Sequence, residues 1–394
     1  MAAHCFDATT FVGPCNHKAR GQHHNPPAPG RSHYLKIKRK QVCNKFFIGM
    51  KRIHTILIIL LLAVTYGEAK KSSDDRQMDD FITSLMKKMT LEEKIGQLNL
   101  GGVGSPKVVG SAIGLDEAIR KGLVSSVGGF DAKAAEDAQK FAVENSRMKI
   151  PLITGLDVVH GYYTIFPIPL ASACSWNMPL LEESARVAAD EASAFGINWT
   201  FAPMVDICRD PRWGRIAEGA GEDPCLGSRI GRAMVRGFQG DDLSKPNTLL
   251  ACVKHFALYG ASEAGRDYNT VSMDPVTMYN YYLPPYKAAF DEGAGSGMTS
   301  FNVVNGVPAT GNKWLLTDLL RDQWKFKGFM VSDANSLAEM SEHGMGGAQR
   351  ITELAMNAGL DMDMSSSLYV LCLKKAVEEK RVPLSRIDAA CRRV

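Results

Sequence analysis

Asp157, Asp206, Lys254, His255, Asn302, Asp333 and Asp361 each stand at or near the end of a short apolar run. That is the pattern of a buried parallel strand delivering a polar group to its C-terminal end. Gly328-Phe329-Met330-Val331-Ser332-Asp333 is the clearest case. Arg215, in Pro211-Arg212-Trp213-Gly214-Arg215, adds a cation to the set. Carboxylates with Lys and Arg around one cavity suit a polyhydroxylated ligand, because each hydroxyl both donates and accepts and bonds to charged groups are the strong ones. A carboxylate is also the nucleophile of retaining glycoside hydrolysis.

Each residue has a plainer explanation. Asp333 and Asp157 could simply cap the segments that follow them, since Asp is a favoured N-cap. Arg215 could be an ordinary ion-pair Arg, and Lys254 and His255 could be buried and paired for structure alone. His160 and His343 read as ordinary, and Trp213 reads as packing rather than a sugar platform. Two chemistries remain open from the residues. One is a sugar-processing site with Asp333 as nucleophile. The other is an aldolase-like site with Lys254 as a Schiff base, which requires a desolvated Lys of depressed pKa. One His beside a Lys is a poor metal cluster, so no metal and no cofactor are expected. Asp333 is expected to stay ionised if Lys254 or Arg266 lies close.

The elements that must position these groups alternate. Strands are expected over residues 123–130, 151–157, 198–205, 249–255, 297–302, 329–333 and 360–364. Helices are expected over 132–146, 180–195, 227–239, 275–292, 314–323, 351–358 and 368–379. Pro284-Pro285 should kink the helix that holds it. Residues 78–98 carry apolar residues at helical spacing, and Thr90 with Glu93 forms a capping box opening a second helix. Near-continuous apolar strands alternating with helices mean a parallel sheet covered by helices. No G-x-G-x-x-G follows an early strand, and Gly101-Gly102-Val103-Gly104 lacks the spacing and Lys of a phosphate loop. An open sheet would scatter the polar strand ends, whereas a barrel gathers them around one mouth. The fold class is therefore α/β, a TIM-type (β/α)8 barrel.

The formal net charge of +4 is unevenly spread. Residues 1–49 hold eight Lys and Arg against one Asp, a charge of +7, which leaves −3 for the rest. A nucleic-acid partner has no support in that remainder. Residues 1–49, with five His and no periodicity, read as a disordered or artefactual extension. Residues 50–69 read as a signal peptide: Met50-Lys51-Arg52, an apolar core over 56–64, and small residues at Gly67 and Ala69. The apolar run is too short for a comfortable membrane span, so a periplasmic or secreted protein with no span after cleavage is expected. A retained signal anchor is the alternative. Residues 70–77 read as a polar linker. Nine cysteines without C-x-x-C or zinc spacing read as small buried hydrophobes rather than a disulfide framework.

Gly155-Leu156-Asp157-Val158-Val159-His160-Gly161, Ala202-Pro203-Met204-Val205-Asp206, Pro211 to Arg215, Gly221-Glu222-Asp223-Pro224, Ala251-Cys252-Val253-Lys254-His255-Phe256 and Gly328 to Asp333 occur in that order. Together they resemble the N-terminal barrel domain of glycoside hydrolase family 3, from about Met78 to the C-terminus. Gly265-Arg266-Asp267-Tyr268-Asn269 and Tyr282-Leu283-Pro284-Pro285-Tyr286 resemble its periplasmic β-glucosidase branch. The resemblance implies retaining removal of terminal β-D-glucosyl residues, with β-xylosidase specificity as the alternative, and β-linked glucosides or short oligosaccharides as partners. Asp333 resembles the nucleophile. Asp157, Arg215, Lys254 and His255 resemble the grip on the non-reducing-end sugar, with Arg266 beside them and Met298 lining the same subsite.

This sequence departs from the family in three places. Ala334-Asn335 follows Asp333 where many members have an aromatic residue and Gly. Phe301 stands where some have a Tyr whose hydroxyl supports the nucleophile. The acid/base carboxyl of two-domain members comes from an α/β sandwich beyond the barrel, and the stretch 257–269 carries no His such as single-domain members use. The chain is therefore expected to be a truncated two-domain enzyme lacking its acid/base, or else a carbohydrate-binding remnant without turnover. An uncovered face would favour a homo-oligomer.

Overall fold

The computed structural model describes residues 73–102, 113–128 and 132–394. The N-terminal extension over 1–49 and the signal segment over 50–69 lie outside them. Strands β1 (Asn99–Gly102), β2 (Ser126–Gly128), β3 (Ile153–Leu156), β4 (Trp199–Thr200), β5 (Leu250–Phe256) and β6 (Ser296–Thr299) are followed by a two-residue-armed hairpin, β7 (Val303–Val304) and β8 (Val307–Pro308), then by β9 (Phe329–Val331) and β10 (Asp363–Met364). Eight of them form one sheet in the order β10-β1-β2-β3-β4-β5-β6-β9, each neighbouring pair parallel. A parallel bridge between Val331 and Met362 joins the two ends. Ser332 N donates to Met362 O, and Met362 N to Met330 O, both at 2.9 Å. The sheet is thus wrapped into a (β/α)8 barrel, as the spread of polar strand ends requires.

Side-chain alternation sorts the strands into an inner and an outer set. Leu100, Trp199, Phe201, Cys252, Met298, Phe329, Val331 and Met362 form one buried cluster inside the barrel. Ala251, Val253 and Met330 belong instead to the cluster between the barrel and its helices. Gly155 is needed in the inner set. A Cβ there would sit 2.6 Å from Phe201 Cζ and 3.1 Å from Trp199 Cε3, so the absent side chain is the space those rings fill.

The outer helices approach closely through small residues: Ala185, Ala188, Ala189 and Ala192 on Met178–Ala194 are all buried. The expected capping box is present, with Glu93 N donating to Thr90 Oγ1 at 3.2 Å and Thr90 N to Glu93 Oε2 at 2.9 Å. The proline pair breaks its helix as expected, into Pro275–Thr277, a π-wound turn over Met278–Tyr282, and Pro284–Asp291.

Four expectations are corrected. β1 was not foreseen, because Gly101 and Gly102 remove the apolar signal of a strand. The expected linker is helical from Ser73 onward, within Ser73–Lys88. Cys252, Cys372 and Cys391 are buried, but Cys174 and Cys225 are exposed, and all six described cysteines are free. Burial pushes the Cys252 thiol up to about 12. Asp361 does not join the other strand ends. It precedes β10, and its carboxylate binds Arg321 Nη2 at 2.6 Å and Arg393 Nε at 2.8 Å. Arg321 also bonds the carbonyls of Phe326 and Gly328, ahead of β9, so this group faces the opposite end of the barrel.

Candidate active site

Two residues beyond an inward-facing position, the next side chain of the same set reaches the mouth. Gly155 leads to Asp157, Cys252 to Lys254, and Val331 to Asp333. Lys254 is buried and its Nζ donates to Asp157 Oδ1 at 2.6 Å, while the Asp157 side chain is 62% exposed. The pair presents one carboxylate oxygen to the opening. His255 follows Lys254 directly and would point away on a regular strand. The register between β5 and β6 slips, with Val253 opposite Gly297 but Phe256 opposite Thr299. Such an irregularity re-aims a side chain, and both Lys254 and His255 reach the mouth.

Asp333 is 9% exposed. Its Oδ1 accepts from Ala334 N at 2.7 Å. Its Oδ2 is buried and has no hydrogen-bond partner, and His255 Nε2 lies 3.6 Å from it. Burial pushes the Asp333 carboxyl upward, against His255, the Ala334 amide, Lys254 and Arg215. Lys254 acts on Asp333 in the expected direction, but burial is the larger effect.

Arg215 caps a short helical turn, Ile216–Glu218, and grips Glu218 through two bonds, Nε to Oε1 at 2.7 Å and Nη2 to Oε2 at 2.9 Å. Its guanidinium stands 5.6 Å from the Tyr259 ring centroid. Burial works to raise the Glu218 carboxyl, but Arg215 with Lys254 and His255 holds it below its usual value. Trp213 is buried and donates Nε1 to Asp267 Oδ1 at 3.0 Å, which is the packing role expected. Phe301 packs edge-on to Tyr268 with centroids 4.7 Å apart.

Asp333, His255, Lys254, Asp157 and Arg215 therefore share one mouth. Met298 lies in the buried barrel interior, one inward position ahead of Ser300. Arg266 is exposed after the turn Glu263–Gly265, and the cations acting on Asp333 are His255, Lys254 and Arg215. Sequence reasoning missed Glu218, Tyr286 and the partner of Asp206. Glu218 carried a readable signal, an acid three residues after Arg215. Asp206 was visible as a polar strand end, but its partner was not. Tyr286 comes from a helix 31 residues after His255, with no local signal.

The sequence matches the glycosyl hydrolase family 3 N terminal domain over residues 90–394. A periplasmic beta-glucosidase of Salmonella typhimurium is 43% identical over 322 residues, which are 80% of this chain and 41% of that protein. A putative beta-xylosidase of Formosa agariphila is 31% identical over 354 residues, 84% of this chain and 47% of the relative. The crystal structure of a beta-glucosidase from Listeria innocua in complex with isofagomine superposes with a TM-score of 0.75 at 41% identity, covering 80% of this chain and 45% of that one. The chain thus spans less than half the length of these relatives.

Proposed function

The chain belongs to glycosyl hydrolase family 3, whose N-terminal domain it carries, and on that premise we propose that it acts on terminal β-D-glucosyl residues by a retaining mechanism with Asp333 as nucleophile. The carrying observation is Asp333 Oδ2: a buried carboxylate oxygen without a partner, at the mouth of the barrel. Its free lone pair is what attack on an anomeric carbon requires, the bond from Oδ2 to that carbon forming as the bond to the leaving-group oxygen breaks. Asp157, Lys254, His255 and Arg215 surround it and supply donors and acceptors for the sugar hydroxyls. We assign Arg266 and Met298 to the same subsite on family resemblance alone.

Asp206 and Glu218 have both carboxylate oxygens engaged, which disfavours either as the second carboxyl that retaining hydrolysis needs; Asp157 is ion-paired to Lys254 through one oxygen. Substrates whose leaving groups need little protonation, such as activated aryl glucosides, test Asp333 without calling on a second carboxyl. Incubation with a 2-fluoro aryl glucoside followed by peptide mapping tests the assignment. Label on Asp333 is expected; label on any other residue overturns it. The xylosidase name of the Formosa relative favours running the 2-fluoro xyloside in parallel, and faster trapping by the xyloside would transfer the specificity. The apolar core of 56–64 and the periplasmic relative support export from the cytoplasm. Among the described residues no helix is long and apolar enough to cross a membrane.

A further inference from the structure

Behind His255 lies a buried carboxylate whose hydrogen bonds run to His255 and Tyr286. Asp206 follows β4 and is 2% exposed. Its Oδ2 accepts from His255 N and faces His255 Nδ1, both at 2.9 Å. Its Oδ1 accepts from the Tyr286 hydroxyl, which also lies 2.8 Å from the His255 carbonyl oxygen. Tyr286 stands on the helix Pro284–Asp291 and is fully buried. Burial and the Asp206 charge push its hydroxyl well above the usual range, so it stays a donor.

An ionised carboxylate can only accept hydrogen bonds. His255 Nδ1 must then carry a proton, and the second nitrogen, Nε2, is left facing Asp333 Oδ2 at 3.6 Å. A bare Nε2 opposite an ionised Asp333 would set two lone pairs against each other. The favourable arrangement places a proton on Nε2, and the imidazolium so formed lies between two carboxylates.

We propose that Asp206, oriented by Tyr286, is a positioning residue that works through His255: it fixes the Nδ1-protonated ring and draws a proton onto Nε2, so that Asp333 is left ionised despite its burial. This rests on Asp333 as the nucleophile of the proposed reaction. The proton concerned moves between Asp333 Oδ2 and His255 Nε2, and nothing else is exchanged. Other charged groups also face the pair. Lys254 and Arg215 favour an ionised Asp333. Glu218 lies within reach of the His255 charge and Glu339 within reach of Asp333. The Tyr259 ring packs edge-on to His255 with centroids 5.3 Å apart.

Nitrogen-15 spectroscopy of the imidazole groups across a pH series tests this without any turnover, with His255 assigned by comparison with His255→Gln. The wild-type ring is expected to be protonated at Nδ1 throughout, and at both nitrogens wherever Asp333 is ionised. In Asp206→Asn the doubly protonated fraction of the ring at a given pH should fall, because an adjacent opposite charge is removed, and Tyr286→Phe should lower it by less. A wild-type ring protonated only at Nε2 overturns the proposal, and that measurement stands even if Asp206→Asn does not fold. An unchanged titration in a folded Asp206→Asn also overturns it. Failure of the 2-fluoro label to reach Asp333, with the spectroscopic result intact, would remove the nucleophile assignment and leave the Asp206–His255 pairing standing.

Discussion

His255 Nε2 stops 3.6 Å short of Asp333 Oδ2, and that oxygen has no hydrogen-bond partner. The gap is too long for a hydrogen bond. The site therefore holds a buried carboxyl with one oxygen bonded to Ala334 N and the other unpaired, the arrangement the proposed nucleophile requires.

That relationship sets two opposite expectations for Asp333→Asn. Turnover of an activated aryl glucoside should fall by roughly 10³- to 10⁶-fold, the range seen when a nucleophile is removed. Stability should rise, by about 1 kcal/mol at neutral pH, because the variant no longer holds an unsatisfied charge in a buried place. The pH dependence has a definite sign. Burial raises the Asp333 pKa, so the native state binds its proton more tightly than the unfolded chain does, and wild-type stability falls as pH rises from about 4 through the raised value. The advantage of the variant should grow over that window and vanish below it. Urea titrations of both proteins at several pH values measure this. A variant less stable than wild type at pH 7 would contradict it.

Glu218→Ala should act on substrate binding. It removes both bonds that hold the Arg215 guanidinium, and a misplaced cation at the mouth weakens the hydroxyl contacts. KM should rise about 10-fold with a smaller change in kcat, at a stability cost of about 1 to 2 kcal/mol. Steady-state kinetics check it. An unchanged KM would mean that Arg215 does not touch the sugar.

Asp361→Ala should do the reverse. Asp361 is fully buried and pairs with Arg321 and Arg393 at the end of the barrel away from the mouth. Removing it leaves Arg321, whose side chain is 15% exposed, without its anion. Such losses cost about 3 to 5 kcal/mol. Chemical denaturation should show the loss, while the rate of labelling by the 2-fluoro glucoside in the folded fraction stays the same. A slower rate would tie Asp361 to the site.

Gly155→Ala should also cost stability, by about 1 to 3 kcal/mol, because the added Cβ collides with the rings of Phe201 and Trp199 inside the barrel. Since Asp157 lies two residues further on, binding of glucose, followed by calorimetry, should weaken as well. Retained stability would mean that the rings have room to shift.

The alternation of short apolar runs with helical periods, legible in the chain without coordinates, determined the barrel. The polar residue closing each run determined most of the mouth: Asp157, Lys254 and Asp333 follow from counting inward positions in twos. Local signals also carried the Thr90 capping box and the break at Pro284-Pro285. What they could not carry was any contact whose partner lies on another element. Asp361 has the same local pattern as Asp333, and only the pairing of β10 with its neighbours, together with Arg321 and Arg393, sends it to the other end. His255 reaches the mouth because the β5–β6 register slips, which depends on two strands at once. Burial of Asp333, which outweighs the cations beside it, and the Asp206–Tyr286 support behind His255 come from strands and a helix brought together only by closure of the barrel. Type and spacing decide which groups a strand can deliver; desolvation and long-range pairing, which exist only once the chain is closed, decide what those groups do.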